Sequence, residues 1–126
     1  MRIALISQFY PPEPVAAANR VAAMARAFAG AGHDVRVYTG MPSFPDGAIA
    51  PPYRGARHVV EQDGAVAVER VWTYASATSL PGNRVLNWLS VAAGIARRIV
   101  TAKARYDLVV VSSPPVTLAL PALLGA

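Results

Sequence analysis

Three proline-rich loops hold most of the residues able to do chemistry. The first, Gln8 to Pro14, offers a carboxamide in Gln8 and a carboxylate in Glu13. The second, Gly40 to Arg57, offers Pro42, Ser43 and Asp46, and the third, Ser112 to Pro115, opens on the paired hydroxyls of Ser112 and Ser113. Glu13 and Asp46 are the acids suited to bond a ligand hydroxyl or act as a base, because each sits in a loop and not in a packed element. Asp63 precedes Gly64 and reads instead as a turn residue. His33 falls in a helix-to-strand turn and reads as structural; the role of His58 is not readable. Nothing pairs the two loop acids, and no His or acid cluster has metal-ligand spacing.

A helix begins directly after the first loop. Its free N–H groups and positive dipole end are suited to an anion, and the small Ala16, Ala17 and Ala18 would let a phosphate approach the backbone closely. The structural alternative is that alanines are simply good helix formers. Asn19 and Arg20 lie one turn in, where Arg20 either reaches an anion or is a solvated surface residue. The Gly30-Ala31-Gly32 triplet is no dinucleotide fingerprint, since that motif must follow the first strand and open a helix, whereas these glycines close one. No Walker motif occurs. NAD and ATP binding of the usual kinds are therefore not expected, and no cofactor is implied.

These loops need a scaffold. Arg2 to Ser7 contains a continuous apolar run, Ile3 to Ile6, of the kind that suits a parallel strand covered on both faces. Val15 to Ala31 reads as a helix with Val21, Met24 or Ala25, and Phe28 on one face. Asp34 to Thr39 reads as a strand, and Val59 to Val71 as one or two strands around Asp63-Gly64. Arg84 to about Ala104 reads as a helix with Leu86, Leu89, Ala93 and Ala96 on its packing stripe. Tyr106 to Val111 reads as a fully buried strand, and Val116 to Ala126 as the start of another helix. This alternation predicts an α/β fold: a Rossmann-like parallel sheet with helices on both faces. Ligands of such sheets bind outside the carboxyl ends of the strands, and there all three loops converge. The expected core includes Ile3, Leu5, Phe28, Val35, Val37, Val109 and Val111.

Composition narrows the classes. The chain has 126 residues, enough for one domain, and 54% of them are hydrophobic, which excludes a disordered chain. With no cysteine there are no disulfides or thiolate sites. The formal charge of +5 raises a nucleic-acid reading. The arginines are dispersed and do not interleave with aromatics, so no nucleic-acid partner is expected. No apolar run reaches the roughly 20 residues of a membrane span, and the opening Met1-Arg2 is not a signal peptide. A cytoplasmic location is expected. The helix at 84–104 carries Leu86, Trp88, Leu89, Val91, Ile95, Ile99 and Val100, with Arg84, Arg97, Arg98 and Lys103 beside them. It fits either an interfacial helix giving peripheral contact with the inner face of the cell membrane, or a helix packed between the sheet and a neighbour. The chain stops in the apolar run Ala119 to Leu124, from which a truncated domain is expected.

Several stretches resemble a known family. Ile3-Ala4-Leu5-Ile6-Ser7-Gln8-Phe9-Tyr10-Pro11-Pro12-Glu13 is similar to the opening of glycosyltransferase family 4 (GT4), whose members retain anomeric configuration. Ala16 to Val21 and Gly32-His33-Asp34-Val35 support this. Thr39 to Gly47, Pro52-Tyr53-Arg54-Gly55 and Ser112-Ser113-Pro114-Pro115 resemble the branch that contains fucosamine transferases of O-antigen and capsule synthesis. The resemblance implies the N-terminal, acceptor-side half of a two-domain GT-B enzyme, with the donor held mainly by a second domain. It implies a nucleotide-diphosphate sugar donor, a glycan or lipid-linked acceptor, and no bound metal. Gln8, Glu13, Ala16, Ala17, Asn19, Arg20, Pro42, Ser43, Asp46, Ser112 and Ser113 are then the expected substrate-binding residues, the catalytic ones being unassigned. Many members carry a Gly-Gly pair in the first loop; this chain departs from them with Val15-Ala16-Ala17-Ala18. From another class, a stand-alone flavodoxin-like binding module without transfer activity fits the same element order.

Overall fold

The computed structural model of the chain describes residues 1–11, 15–42, 49, 51–53, 55–74, 81–101, 105–111, 121 and 123. Five strands and two helices follow one another as β1 (Arg2–Ile6), α1 (Ala16–Gly30), β2 (Asp34–Gly40), β3 (His58–Asp63), β4 (Val66–Val71), α2 (Pro81–Thr101) and β5 (Leu108–Val111). A single 3₁₀ turn, Pro51–Tyr53, precedes β3. The strands form one sheet in the order β3-β4-β2-β1-β5.

The register explains the core. Ile3 lies opposite Val35, and Leu5 lies opposite both Val37 and Val110. Odd positions of β1 and β2 face α1, where Ile3, Leu5, Val35, Val37, Val66 and Val68 pack with Val21, Ala22 and Ala25. Even positions face α2, where Ala4, Ile6 and Tyr38 meet Val91, Ala92, Ile95 and Ile99. β1 has no polar side because both of its faces are covered. The fold is thus α/β and Rossmann-like, with α1 and α2 on opposite faces of the sheet. Phe28, Val109 and Val111 pack only at the margins of these clusters.

Three sequence expectations are corrected. The sheet is mixed, because β3 runs antiparallel to β4. Gly64, at φ 61°, supplies the tight reversal between them. β3 also alternates half-buried and exposed residues, as suits an outer strand. β5 is shorter than Tyr106–Val111 and is not fully buried: Leu108 is 39% exposed, because this strand is paired on only one side among the described residues.

The third correction concerns α2. It starts at Pro81, where a proline is suited to a first helical position, and not at Arg84. Its inward stripe is Val91, Ala92, Ile95 and Ile99. The expected stripe points outward instead: Leu86 is 49% and Leu89 48% exposed. Packing chose the β-branched residues, which fit the pleated surface, over the leucines. Gly94 fixes how close the helix comes, since a Cβ there would lie 2.8 Å from Val71 Cβ. The expected helix at 116–126 falls almost wholly outside the described residues.

Candidate functional site

β1, β2, β4 and β5 run in parallel, so their carboxyl ends share one edge of the sheet. Residues 7–11, 41–42 and 72–74 leave the sheet there, and the first turns of α2 come back to it. Side chains stitch these segments together. Ser7 N–H continues the ladder to Tyr38 O at 3.1 Å, and its hydroxyl donates to Phe9 O at 2.7 Å, closing a local turn. Thr73 Oγ1 accepts from Met41 N–H at 2.8 Å and donates to Val71 O at 3.1 Å, which ties the end of β2 to the end of β4.

A carboxamide chain crosses this edge. Gln8 is 5% exposed, and its Nε2 donates to Asn87 Oδ1 at 2.5 Å. Asn87 Nδ2 donates to Tyr74 O at 2.7 Å. Tyr74 N–H donates in turn to Ser90 Oγ at 2.9 Å, and Ser90 Oγ donates to Asn87 O at 2.8 Å. The Tyr74 hydroxyl donates to Asn83 Oδ1 at 3.4 Å. Among the described residues two buried side-chain oxygens have no hydrogen-bond partner, Thr39 Oγ1 within β2 and, in this network, the acceptor Gln8 Oε1.

Beside this network stands Arg70, the largest fully buried side chain described. Its guanidinium donates to Gly40 O at 3.0 Å and to Pro11 O, and reaches Glu61 Oε2 at 3.4 Å. It lies 5.3 Å from the Tyr53 ring centroid and 5.9 Å from that of Tyr10. The Tyr10 hydroxyl runs on to Asp63 Oδ2 at 2.5 Å. A hydrogen bond from Tyr10 and the Arg26 guanidinium hold the Asp63 carboxyl below its ordinary range, while burial pushes the Tyr10 phenol well up. Five segments (the first loop, the end of β2, the 3₁₀ turn, β3 and β4) therefore hang on one cation.

On the opposite face, Glu69 gathers Arg36 at 2.5 Å, His58 at 2.9 Å and Arg98 at 3.3 Å. Burial pushes its carboxyl up, but hydrogen bonds from Arg36 and His58 outweigh it and hold the group low. This cluster joins α2 to the sheet and lies away from the rim. Asp63 and His58 are thus structural ties. His33 is another, with its Nδ1 3.2 Å from the N-terminal amine.

A family model for the glycosyl transferase 4-like domain matches residues 16–126. The chain belongs to that family. No similar curated protein is found. β1 and the Gln8 loop precede the matched residues. As a glycosyltransferase domain, the chain serves a sugar donor and an acceptor, and the family favours this over the stand-alone binding module.

Within the glycosyltransferase domain the expected site residues divide. Gln8 joins the rim network. Pro42 is buried, Ala17 half-buried, and Ala16, Asn19 and Arg20 exposed on the first turns of α1. α1 has Val15 at its N-cap with no side-chain cap. Arg20 borders a cavity of about 230 Å³ with Leu5, Val21, Met24 and Val110, apart from the carboxamides. Glu13, Ser43, Asp46, Ser112 and Ser113 lie outside the described residues. A smaller recess of about 130 Å³ opens between Met41, Tyr53, Arg57 and the half-exposed Trp72. Among the described residues no group of three or more acids and histidines could hold a metal ion.

Sequence reasoning missed Asn83, Asn87 and Ser90. Their signal was present: a polar stripe at i, i+4 and i+7 on an otherwise apolar helix. It also missed Arg70, which follows Val66 and Val68 on the same side of β4 and so falls on a buried face as a cation needing partners.

Proposed function

We propose that this domain is the N-terminal, acceptor-side half of a retaining GT-B glycosyltransferase. It moves a sugar from a nucleotide-diphosphate sugar to a lipid-linked or polysaccharide acceptor in cell-surface glycan synthesis. On this reading it falls in the branch that contains fucosamine transferases, which its loop sequences resemble. The observation that supports the reading is the neutral carboxamide and hydroxyl network of Gln8, Asn87, Tyr74 and Asn83 at the carboxyl ends of parallel strands. Uncharged amides and hydroxyls suit sugar hydroxyls, and the described part of this rim shows no cluster of free cations that would hold a diphosphate. On this reading the donor is held mainly by a second domain. Glu13, Ser43, Asp46, Ser112 and Ser113 join the acceptor side with Pro42, and Ala16, Ala17, Asn19 and Arg20 border the cleft where the donor phosphates enter.

The test is transfer itself. The intact enzyme, given radiolabelled nucleotide sugars and a membrane lipid extract, should label a lipid-linked or polymeric product. Residues 1–126 alone should label nothing, because each missing transition-state donor is worth on the order of 10²–10³ in rate. Sugar transfer by the 126-residue piece would overturn the division of labour.

The outward face of α2 supports action at the cytoplasmic face of a membrane. Val85, Leu86, Leu89 and Val100 are 46–56% exposed, and the helix sequence has arginines at 84, 97 and 98 but no acid. No described helix is long and apolar enough to cross a membrane. Anionic vesicles should sediment with the intact protein, less so at high salt and less with Leu86→Ser plus Leu89→Ser. Sedimentation indifferent to those changes removes the membrane contact from the reading.

A further inference from the structure

The carboxamide chain has a direction, and the direction says what ligand group it takes. Tyr74 O is a backbone carbonyl and can only accept. Asn87 must therefore turn its NH₂ toward Tyr74, which leaves its Oδ1 facing Gln8. Gln8 must then turn its own NH₂ toward Asn87. Both amide orientations follow from one atom whose role cannot change. What remains is Gln8 Oε1: buried, without a partner among the described residues, and held as an acceptor. Leaving such an oxygen unpaired is unfavourable, and native folds keep such groups mainly where something else completes them.

From this we infer that Gln8 Oε1 is a specificity element for a hydrogen-bond donor, a pyranose hydroxyl of the acceptor glycan, and that Asn87 is the positioning residue that sets it. The inference rests on the glycosyltransferase reading and narrows it. A phosphate or carboxylate oxygen brings no donor and is repelled by an amide oxygen locked in this sense. The Gln8 loop therefore reads sugar hydroxyls and does not read the donor diphosphate. This fits the departure of the next segment, Val15-Ala16-Ala17-Ala18, from the Gly-Gly pair that brings the backbone to the diphosphate in many members of the family. It also separates the roles of the two side chains: Gln8 touches the ligand, and Asn87 acts through Gln8.

The experiment uses the intact protein and two kinds of probe, followed by saturation-transfer NMR titration. One is a set of methyl pyranosides of glucose, galactose and N-acetylglucosamine; the other is uridine diphosphate. At least one glycoside should bind wild type. Gln8→Met, close in shape but without the acceptor, should weaken that glycoside about tenfold, the effect expected for one lost hydrogen bond to a ligand. Uridine diphosphate should bind the variant as it binds wild type. Asn87→Leu should weaken the glycoside similarly, because Gln8 is no longer held. Asn87→Asp loses the donor to Tyr74 O but still accepts from Gln8 Nε2, so it should lose less of the affinity than Asn87→Leu. A purely structural Asn87 would give the opposite order, the buried charge of Asp beside the Tyr74 carbonyl being worse than Leu. Loss of nucleotide binding in Gln8→Met, with glycoside binding intact, overturns the proposal. So does a wild type that binds the nucleotide but none of the glycosides. A wild type that binds neither probe overturns the acceptor-side reading as well.

Discussion

Glu69→Gln tests the joint between α2 and the sheet. The carboxylate is 6% exposed and meets three basic side chains at 2.5, 2.9 and 3.3 Å. The substitution keeps the shape and removes the charge. Were all partners buried, breaking the pair would cost about 3–5 kcal/mol. Here Arg36, His58 and Arg98 are 37%, 28% and 39% exposed, so each regains water when released. The expected loss is therefore smaller, about 2–3 kcal/mol at neutral pH, or a melting midpoint lower by roughly 10 °C for a domain of this size. The pH dependence carries a sign. The folded carboxyl titrates below its ordinary value of 4.5, so it stabilises the fold fully above about that pH. The stabilisation fades as pH falls through the depressed folded value. Urea titrations of both proteins between pH 7 and pH 3 should show two curves that converge on acidification. A gap that stays constant to pH 3, or one below about 0.5 kcal/mol at pH 7, would refute the argument.

Two further perturbations follow from the same geometry. Arg70→Met should cost about 3–5 kcal/mol, because the Pro11 and Gly40 carbonyls lose a buried donor, and Arg70→Lys should recover only part of it, since an ammonium cannot span both. Hydrogen exchange would show faster Met41 and Trp72 amides in Arg70→Lys with β1 unchanged; uniform exchange across the sheet would mean that Arg70 does not anchor the rim. Gly94→Ala should destabilise by about 1–3 kcal/mol despite a gain in helix propensity of up to about 1 kcal/mol, because the new Cβ meets Val71 at 2.8 Å. A higher melting temperature in calorimetry would show that α2 can lift off β4 freely.

How much of this was legible in the sequence follows from the range of each interaction. The run Ile3–Ile6 announces a strand covered on both faces, because no side of it is polar, while β2 announces itself by Val35, Val37 and Tyr38 around the half-buried Arg36. The helix at Ala16–Gly30 and the turn at Asp63-Gly64 are local signals, readable within a few residues. The antiparallel β3 was present in that same turn, since a two-residue reversal pairs its flanking strands antiparallel, but the expectation of a parallel sheet rested on the alternation of elements and passed over it. α2 misled for a physical reason: two apolar stripes compete on it, and hydrophobicity alone favours the leucines. The choice was made by Val71, which accepts Gly94 closely and turns Val91 and Ile95 inward. Of the candidate site, Gln8 was reachable from its place after the first strand. Asn87 was visible only as part of a polar row on α2; its pairing with Gln8, 79 residues away, was not.

That competition on α2 bears on what the helix is for. A helix needs one apolar stripe to cover a sheet, and Val91, Ala92, Ile95 and Ile99 already provide it. Val85, Leu86 and Leu89 are left exposed close together at the rim end of α2, with Val100 exposed further along, and clustered exposed apolar side chains often mark an interaction site. Between the two stripes, at the rim end only, stands the polar row of Asn83, Asn87 and Ser90. One element thus carries three different faces: one holds the sheet, one orders the Gln8 amide, and one is apolar and exposed. If a lipid surface covers the third, the amide site is brought to the height of that surface by the same rigid helix. On the proposed reading, the acceptor's hydroxyl and its lipid anchor are then met by two different faces of α2, roughly a third of a turn apart.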